Sequence, residues 1–432
     1  MDMLAILGFG MIITFMALIM WKKLHPVTAL ILIPLIFALL AGSGLGVGKM
    51  MVAGVKTIAP TAMMLLFAIM YFGIMINVGL FDPLATFILR LVKGDPLKIL
   101  VGTVLLTGVV ALDGDGSTTF MIVCTAMLPL YDRLGISRIT LAVFALMTNN
   151  VLNIVPWGGP TARVVAALGL EANDVFVPLV PGMVISFIFL LVVAYFLGLK
   201  ERKRLGIVEM DKATMDEIVK KITSEAPELK RPGLFAVNLV MTIILLTVLI
   251  MDVISLGVVF AVGTSLALVI NYRTIKEQTA RIEEHAPAAM NVVIVIIAAG
   301  CFMGILAGTK MDAAITNTMV AMIPDSLGPH MALITALLSA PGTFFLSNDA
   351  FYYGIVPILA KTGAAYGVTP VEIARASLMG QPIHFLSPLV GALWLLLGIT
   401  NVSLGEIQKY ALPVATGMML IYIVVGKVLG VI

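Results

Sequence analysis

The stretch Leu112-Asp113-Gly114-Asp115-Gly116-Ser117-Thr118-Thr119 decides how this chain is read. It sets two carboxylates, two glycines and three hydroxyls between two apolar runs, residues 97–112 and 118–131. Inside a bilayer, polar and glycine-rich backbone is tolerated only where it faces protein or a watery cavity. Ionisable groups there are functional candidates. Each flanking run is shorter than the ~20 residues of a comfortable span. Two short legs joined by a polar turn predict a hairpin over about 97–131 that enters and leaves on one side, with its tip within the membrane.

Composition supplies the membrane setting. Of 432 residues 60% are hydrophobic and only 12% charged, with mean hydropathy +1.10; a soluble domain carries about twice that charged fraction. A net charge of +3 points to no nucleic-acid partner. Cys124 and Cys301 lie in apolar runs and read as small buried residues, not a disulfide. The 28 methionines have no repeated ligand spacing and read as packing. No nucleophile–base set or paired-histidine spacing suggests an enzyme. The first apolar run ends at Trp21-Lys22-Lys23 without a cleavage pattern, so it reads as a span.

Outward from the tip, spans are expected at 3–20, 27–43 and 59–80 before the hairpin, then a long run over 138–170. That run holds Thr148-Asn149-Asn150, Asn153 and Pro156-Trp157-Gly158-Gly159-Pro160. Proline removes a helical donor, so this is a broken span. A further span at 178–199 closes a first repeat, 1–199. Residues 200–232 carry nine Lys or Arg and seven Asp or Glu and form a linker. The second repeat, 233–432, has spans at 234–251, 255–271 and 287–308, and a hairpin over about 330–360 tipped by Ser347-Asn348-Asp349. A broken span over 370–400 and a last span at 411–431 follow. An offset of 232 lays Asp115-Gly116-Ser117 on Ser347-Asn348-Asp349, Gly135 on Gly367, Met147 on Met379, Pro156 on Pro388 and Gly159 on Gly391.

The expected fold is therefore an all-α polytopic membrane protein of two repeats, each with five spans and one re-entrant hairpin, and with discontinuous helices at the midplane. An odd number of crossings makes the repeats inverted. The basic linker places itself in the cytoplasm; Lys49, Lys56, Lys310, Lys361 and Lys427 run against that bias. Both termini are then external. The first hairpin opens to the cytoplasm, the second to the outside, and the tips meet near the midplane.

Broken helices expose half-helix N-termini that attract anions and carbonyls that coordinate cations. Gly158 and Gly159 mark such an end. Asp113, Asp115 and Asp349 offer carboxylates to a metal ion. Asn149, Asn150, Asn153, Asn348 and Gln381 offer amides, and Ser117, Thr118, Thr119, Ser347 and Ser387 hydroxyls, to a substrate. His384, like the three aspartates, is a candidate proton carrier. Neither tip contains Lys or Arg, which a bare polyanion would favour. Oxygen-rich ligands suit Mg²⁺, Ca²⁺ or Na⁺, so an anion that arrives with a cation fits. Arg163 reads as snorkelling to an interface, with reaching an anion as the alternative, and Asp82 and Asp312 read as cap or loop residues. A secondary transporter follows. A Na⁺-coupled di- or tricarboxylate symporter and a cation/proton antiporter, in which the aspartates bind ions alone, remain as alternatives.

The residues Ala68 to Gly73, Val78 to Pro83, Asp113 to Thr119, Asn149-Asn150, Pro156 to Pro160 and Gln381-Pro382 to Pro388 resemble the CitMHS group, the citrate–divalent-metal:proton symporters of the ion transporter superfamily. The resemblance covers nearly the whole chain. It implies transport of a citrate complex of Mg²⁺ or Ca²⁺ in symport with protons, no permanent cofactor, and a bacterial inner (cytoplasmic) membrane location. It also implies a homodimer with an elevator-like motion, in which the hairpins and broken spans move against a scaffold.

Overall fold

The computed structural model describes residues 2–92, 94–207, 227–251, 253–324 and 326–432. Among them the chain is helix and turn, with no strand. Most of the linker, 208–226, lies outside the described residues. The first half runs α1 Met3–Met20, α2 Pro26–Leu40, α3 Val47–Asn77 and α4 Asp82–Val92. Then come α5 Pro96–Val110 and α6 Gly116–Leu134, joined through a 3-10 turn at Ala111–Asp113. They are followed by α7 Arg138–Leu152, α8 Gly159–Leu168, the short α9 Ala172–Phe176 and α10 Val180–Leu205.

The second half runs α11 Phe235–Met251, α12 Leu256–Asn271, α13 Ile275–Gly308 and α14 Met311–Met322. Next are α15 Met331–Phe345 and a π-helical turn, Ala350–Ile355, leading into α16 Val356–Ala364. The chain ends in α17 Pro370–Leu378, α18 Gln381–His384, α19 Gly391–Thr400 and α20 Leu404–Val428.

Among the described residues six helical stretches are long and apolar enough to cross a membrane: Gly44–Asn77, Pro96–Asp113, Ala172–Leu205, Pro232–Leu249, Ile275–Gly308 and Leu404–Val428. Three of them differ from the sequence expectation. The runs at 59–80 and 287–308 are the apolar ends of the much longer α3 and α13. Lys49 and Lys56 in one, and Lys276 to His285 in the other, hide the remainder from hydropathy. Helix propensity and a capping box at Thr274 and Glu277 carry α13 through its polar start. The first leg of the hairpin is also longer than its hydropathy suggests, because the 3-10 turn extends it to Asp113. Cys124 and Cys301 are buried free thiols.

The centre of the fold is the contact between α3 and α13, with α12 bedded on α3 and α2 on α13. Lipid gives no hydrophobic drive between helices, so close backbone approach through small residues must supply the attraction. Gly300, Gly304 and Gly308 recur every four residues along α13. A methyl group on Gly54 would overlap the Gly300 carbonyl oxygen, and one on Gly304 would overlap the Met50 carbonyl oxygen. Backbone rather than a flexible side chain stands in the way. Gly54→Val should therefore destabilise the protein by about 2 kcal/mol, in the range that overpacking a tight contact costs. The check is a thermal melt in detergent, with Gly46→Val, whose neighbourhood is open, melting close to wild type.

Candidate functional site

The tip between α5 and α6 is a turn built by its own carboxylates. Asp113 accepts from the Asp115 amide at 2.9 Å, and Gly114 takes the left-handed conformation, φ +78°, that glycine tolerates best. Asp115 is the N-cap of α6, accepting from the Ser117 and Thr118 amides at 3.2 and 2.9 Å and from the Thr118 hydroxyl at 2.7 Å. The indole of Trp157 holds this turn from outside, donating to the Leu112 carbonyl at 3.0 Å. Its ring stacks on Phe72 of α3 and meets Phe260 of α12 edge-on, each at 5.2 Å between centroids. The tip is thereby tied to the core through the first broken span.

That break separates α7 from α8. The chain reverses so tightly that a side chain on Gly158 would overlap the Asn153 carbonyl, which leaves glycine the only fitting residue. The freed carbonyl of Ile154 accepts from Thr161 Oγ1 at 2.8 Å. The second break, between α18 and α19, is seated on the first leg of the second hairpin. Ser387 Oγ donates to Phe344 O and His384 Nδ1 to Thr343 O, both at 2.6 Å. The carbonyl acceptor fixes the His384 proton on Nδ1.

The two breaks meet. Asn150 Nδ2 donates to the Gln381 carbonyl at 3.0 Å. The Gln381 amide donates to Tyr352 Oη at 2.8 Å and Asn348 Oδ1 at 3.3 Å, reaching the second tip. On the other side Gly116 sits against the Asn149 amide and Ala392 of α19; a side-chain carbon added there would lie 3.0 and 3.2 Å from them. Tip, break, break and tip thus form one continuous junction. Around it the Asn149 Nδ2, Asn150 Oδ1 and Gln381 Oε1 atoms are buried with no hydrogen-bond partner among the described residues. A buried polar atom left unpaired costs about 1–3 kcal/mol, so these three are available to a polar ligand. A cavity of about 670 Å³ runs to Thr118 from the side where Asn77, Asp82, Lys230, Glu284 and His285 lie.

Two expectations change. Arg163 does not snorkel outward. Its side chain, one helical turn into α8, donates through Nε to Asp349 Oδ1 at 2.7 Å and through Nη1 to the Gly159 carbonyl at 3.0 Å. The second tip therefore has a guanidinium, delivered from another element, where sequence alone shows none. Nor do Asp113, Asp115 and Asp349 gather on one ion. Among the described residues no three of His, Cys, Asp and Glu come together as a metal-holding group, because the first two bond their own turn and the third pairs with Arg163. Asn153 serves through its backbone, its amide bonding the Asn149 and Asn150 carbonyls. Asp82 opens α4 and pairs with Lys230 at 2.8 Å, and Asp312 pairs with Lys361. Tyr352 and Trp157 were hidden in the sequence among other apolar aromatics. Arg163 had a visible signal, a charge in an apolar run four residues past a Gly-Gly break.

This architecture is shared with solved transporters. The chain matches the structure of the Neisseria gonorrhoeae MtrF protein, described as an antimetabolite efflux pump, with TM-score 0.61 at 13% identity over 93% of this chain and 94% of that one. It matches the Alcanivorax borkumensis YdaH transporter with TM-score 0.55 at 13% identity, over 88% and 87%. The class this fold defines is a multi-pass, all-helical membrane protein. The CitMHS citrate transporter model matches residues 16–380, and the chain belongs to that family. It is 51% identical to the citrate transporter of Bacillus subtilis strain 168 over the full length of both. It is 47% identical to that organism's Mg(2+)/citrate complex secondary transporter over 99% of both.

Asparagine caps a helix as well as aspartate does, while alanine loses about 1 kcal/mol. Asp115→Asn should therefore melt with wild type in detergent and Asp115→Ala several degrees lower, which separates the capping role of this carboxylate from any role of its charge.

Proposed function

We propose that this protein imports citrate complexed with a divalent metal ion of the Mg²⁺ or Ca²⁺ type, in symport with protons. The observation that carries the reading is the 47% identity, end to end, with a protein named for the Mg²⁺/citrate complex. The junction supports it chemically. Citrate as a trianion with one divalent ion keeps one net negative charge, and a co-transported proton neutralises the cargo. A metal that arrives already chelated needs few protein ligands, which suits tips whose carboxylates are separate. In this reading the groups offered to the cargo are the Asp115 carboxylate, the unpaired Asn149 Nδ2, Asn150 Oδ1 and Gln381 Oε1 atoms, and the hydroxyls of Ser117, Thr118 and Ser347. His384 and the aspartates are the candidates for the proton.

The same reading takes the two halves as inverted repeats. In support, α7 and α8 begin at Arg138 and Gly159 while α17 and α19 begin at Pro370 and Gly391, each pair 232 apart. Gly135 and Gly367, also 232 apart, are both left-handed. The hairpins and broken spans form the moving unit against a scaffold centred on α3 and α13, in a homodimer within the bacterial inner membrane, with the linker side cytoplasmic.

Reconstituted protein should accumulate labelled citrate only with Mg²⁺ or Ca²⁺ outside and an inward proton gradient. Replacing Na⁺ by choline should change nothing. Uptake indifferent to a chelator would overturn the metal-complex reading, and uptake that fails in choline would favour a Na⁺-coupled carboxylate symporter. Asp115→Asn, which keeps the cap, should reduce uptake to near background.

A further inference from the structure

We propose that Arg163 is the residue that holds a carboxylate of the substrate, and that Asp349 and the Gly159 carbonyl position it for that task. The proposal deepens the reading above and rests on it for the chemical class of ligand, a multiply charged carboxylate. Among the described residues, the Arg163–Asp349 pair is the only ion pair that joins a hairpin tip to a broken span.

The geometry is not that of a closed structural clamp. A guanidinium has five N–H donors in a planar fork, and two of them can meet a carboxylate side by side. Here Asp349 takes only Nε, at 2.7 Å, and Gly159 takes one donor of Nη1, at 3.0 Å. Nη2 makes no hydrogen bond among the described residues, and the side chain remains 20% exposed. Donors of the fork therefore remain unused on a side chain that is not fully buried, while Nε and Nη1 are fastened to both sides of the junction. Asp349 adjoins Asn348, which is bonded to Gln381, and Gln381 carries one of the unpaired buried oxygens. A carboxylate held by the Arg163 fork can also accept from the unpaired Asn149 Nδ2, while the unpaired oxygens of Asn150 and Gln381 suit the cation that accompanies it. The charges agree as well. Arg163 and Asp349 cancel each other, so the pair adds no net charge to a site that must accept a cargo neutralised by its own metal and proton.

A purely structural salt bridge makes the opposite prediction when both partners are removed together. Arg163→Gln alone leaves Asp349 as a half-buried unpaired charge, and the protein should lose stability. The double variant Arg163→Gln/Asp349→Asn leaves no unpaired charge and keeps hydrogen-bonding groups at both positions. It is expected to recover wild-type-like melting but to bind citrate, in calorimetry with and without Mg²⁺, at least ~30-fold more weakly than wild type, in line with the loss of a charge-assisted hydrogen bond. Asp349→Asn, which keeps the guanidinium but loosens its seat, should bind with an intermediate loss. Arg163→Lys should regain part of the affinity lost in Arg163→Gln.

Wild-type affinity in the folded double variant would overturn the proposal. Loss of binding that affects citrate with and without metal alike supports it even if transport proves independent of Mg²⁺, so the metal-complex reading can fail separately. A wild-type protein that binds no di- or tricarboxylate would overturn both.

Discussion

A helix interrupted inside a membrane leaves carbonyl and amide groups that lipid cannot satisfy, and this chain is organised around meeting that demand. Each interruption is closed by a side chain from somewhere else. Asn150 reaches from the first broken span to the Gln381 carbonyl of the second. Trp157 reaches back to Leu112 at the first tip, while Ser387 and His384 reach the last residues of α15. Gln408 of α20 takes the Leu386 carbonyl at 2.9 Å and Trp394 takes Pro388 at 2.8 Å. The first broken span thus leans on the second through Asn150, the second leans on α15 and α20, and the tips are joined to the breaks through Trp157 and Gln381.

What remains after this closure is as informative as the closure itself. The backbone is answered, yet three amide atoms at the crossing are not, and the Arg163 guanidinium keeps donors beyond those given to Asp349 and Gly159. Each such group carries a desolvation cost without a bond in return. The carboxylates behave differently. Asp113 and Asp115 are consumed in shaping the first tip, and Asp349 in seating Arg163, so the negative charge near the junction is localised and partly cancelled. An anion bearing its own cation can enter such a place without meeting a wall of like charge.

Most of the architecture was legible in the sequence because the breaks are written in residues with strong backbone consequences. Pro156, Gly158, Gly159, Pro382 and Pro388 announce the interrupted helices, and Asp113-Gly114-Asp115-Gly116 announces a turn. The extents of α3 and α13 were not legible, because hydropathy registers the lipid-facing length of a helix and not its polar continuation past Lys56 or before His285. The junction's membership was half legible. Residue types named Asn149, Asn150, Asn348 and Gln381, but which of them meet depends on how two distant segments cross. The direction of Arg163 was not legible for the same reason: its partner lies 186 residues away, and its place four residues past the Gly-Gly break marks a candidate without showing whether it points to an interface or inward.

The claim on which everything else depends is that the cargo binds where the tips and the breaks meet. Trp157 is a natural reporter of that place, buried and bonded to the first tip, whereas Trp21 and Trp394 are exposed and can be replaced by phenylalanine. In the resulting single-tryptophan protein, citrate with Mg²⁺ is expected to change Trp157 emission in a saturable way, at the same concentrations that calorimetry gives for binding. Binding measured by heat that leaves the Trp157 signal untouched would place the cargo elsewhere in the molecule.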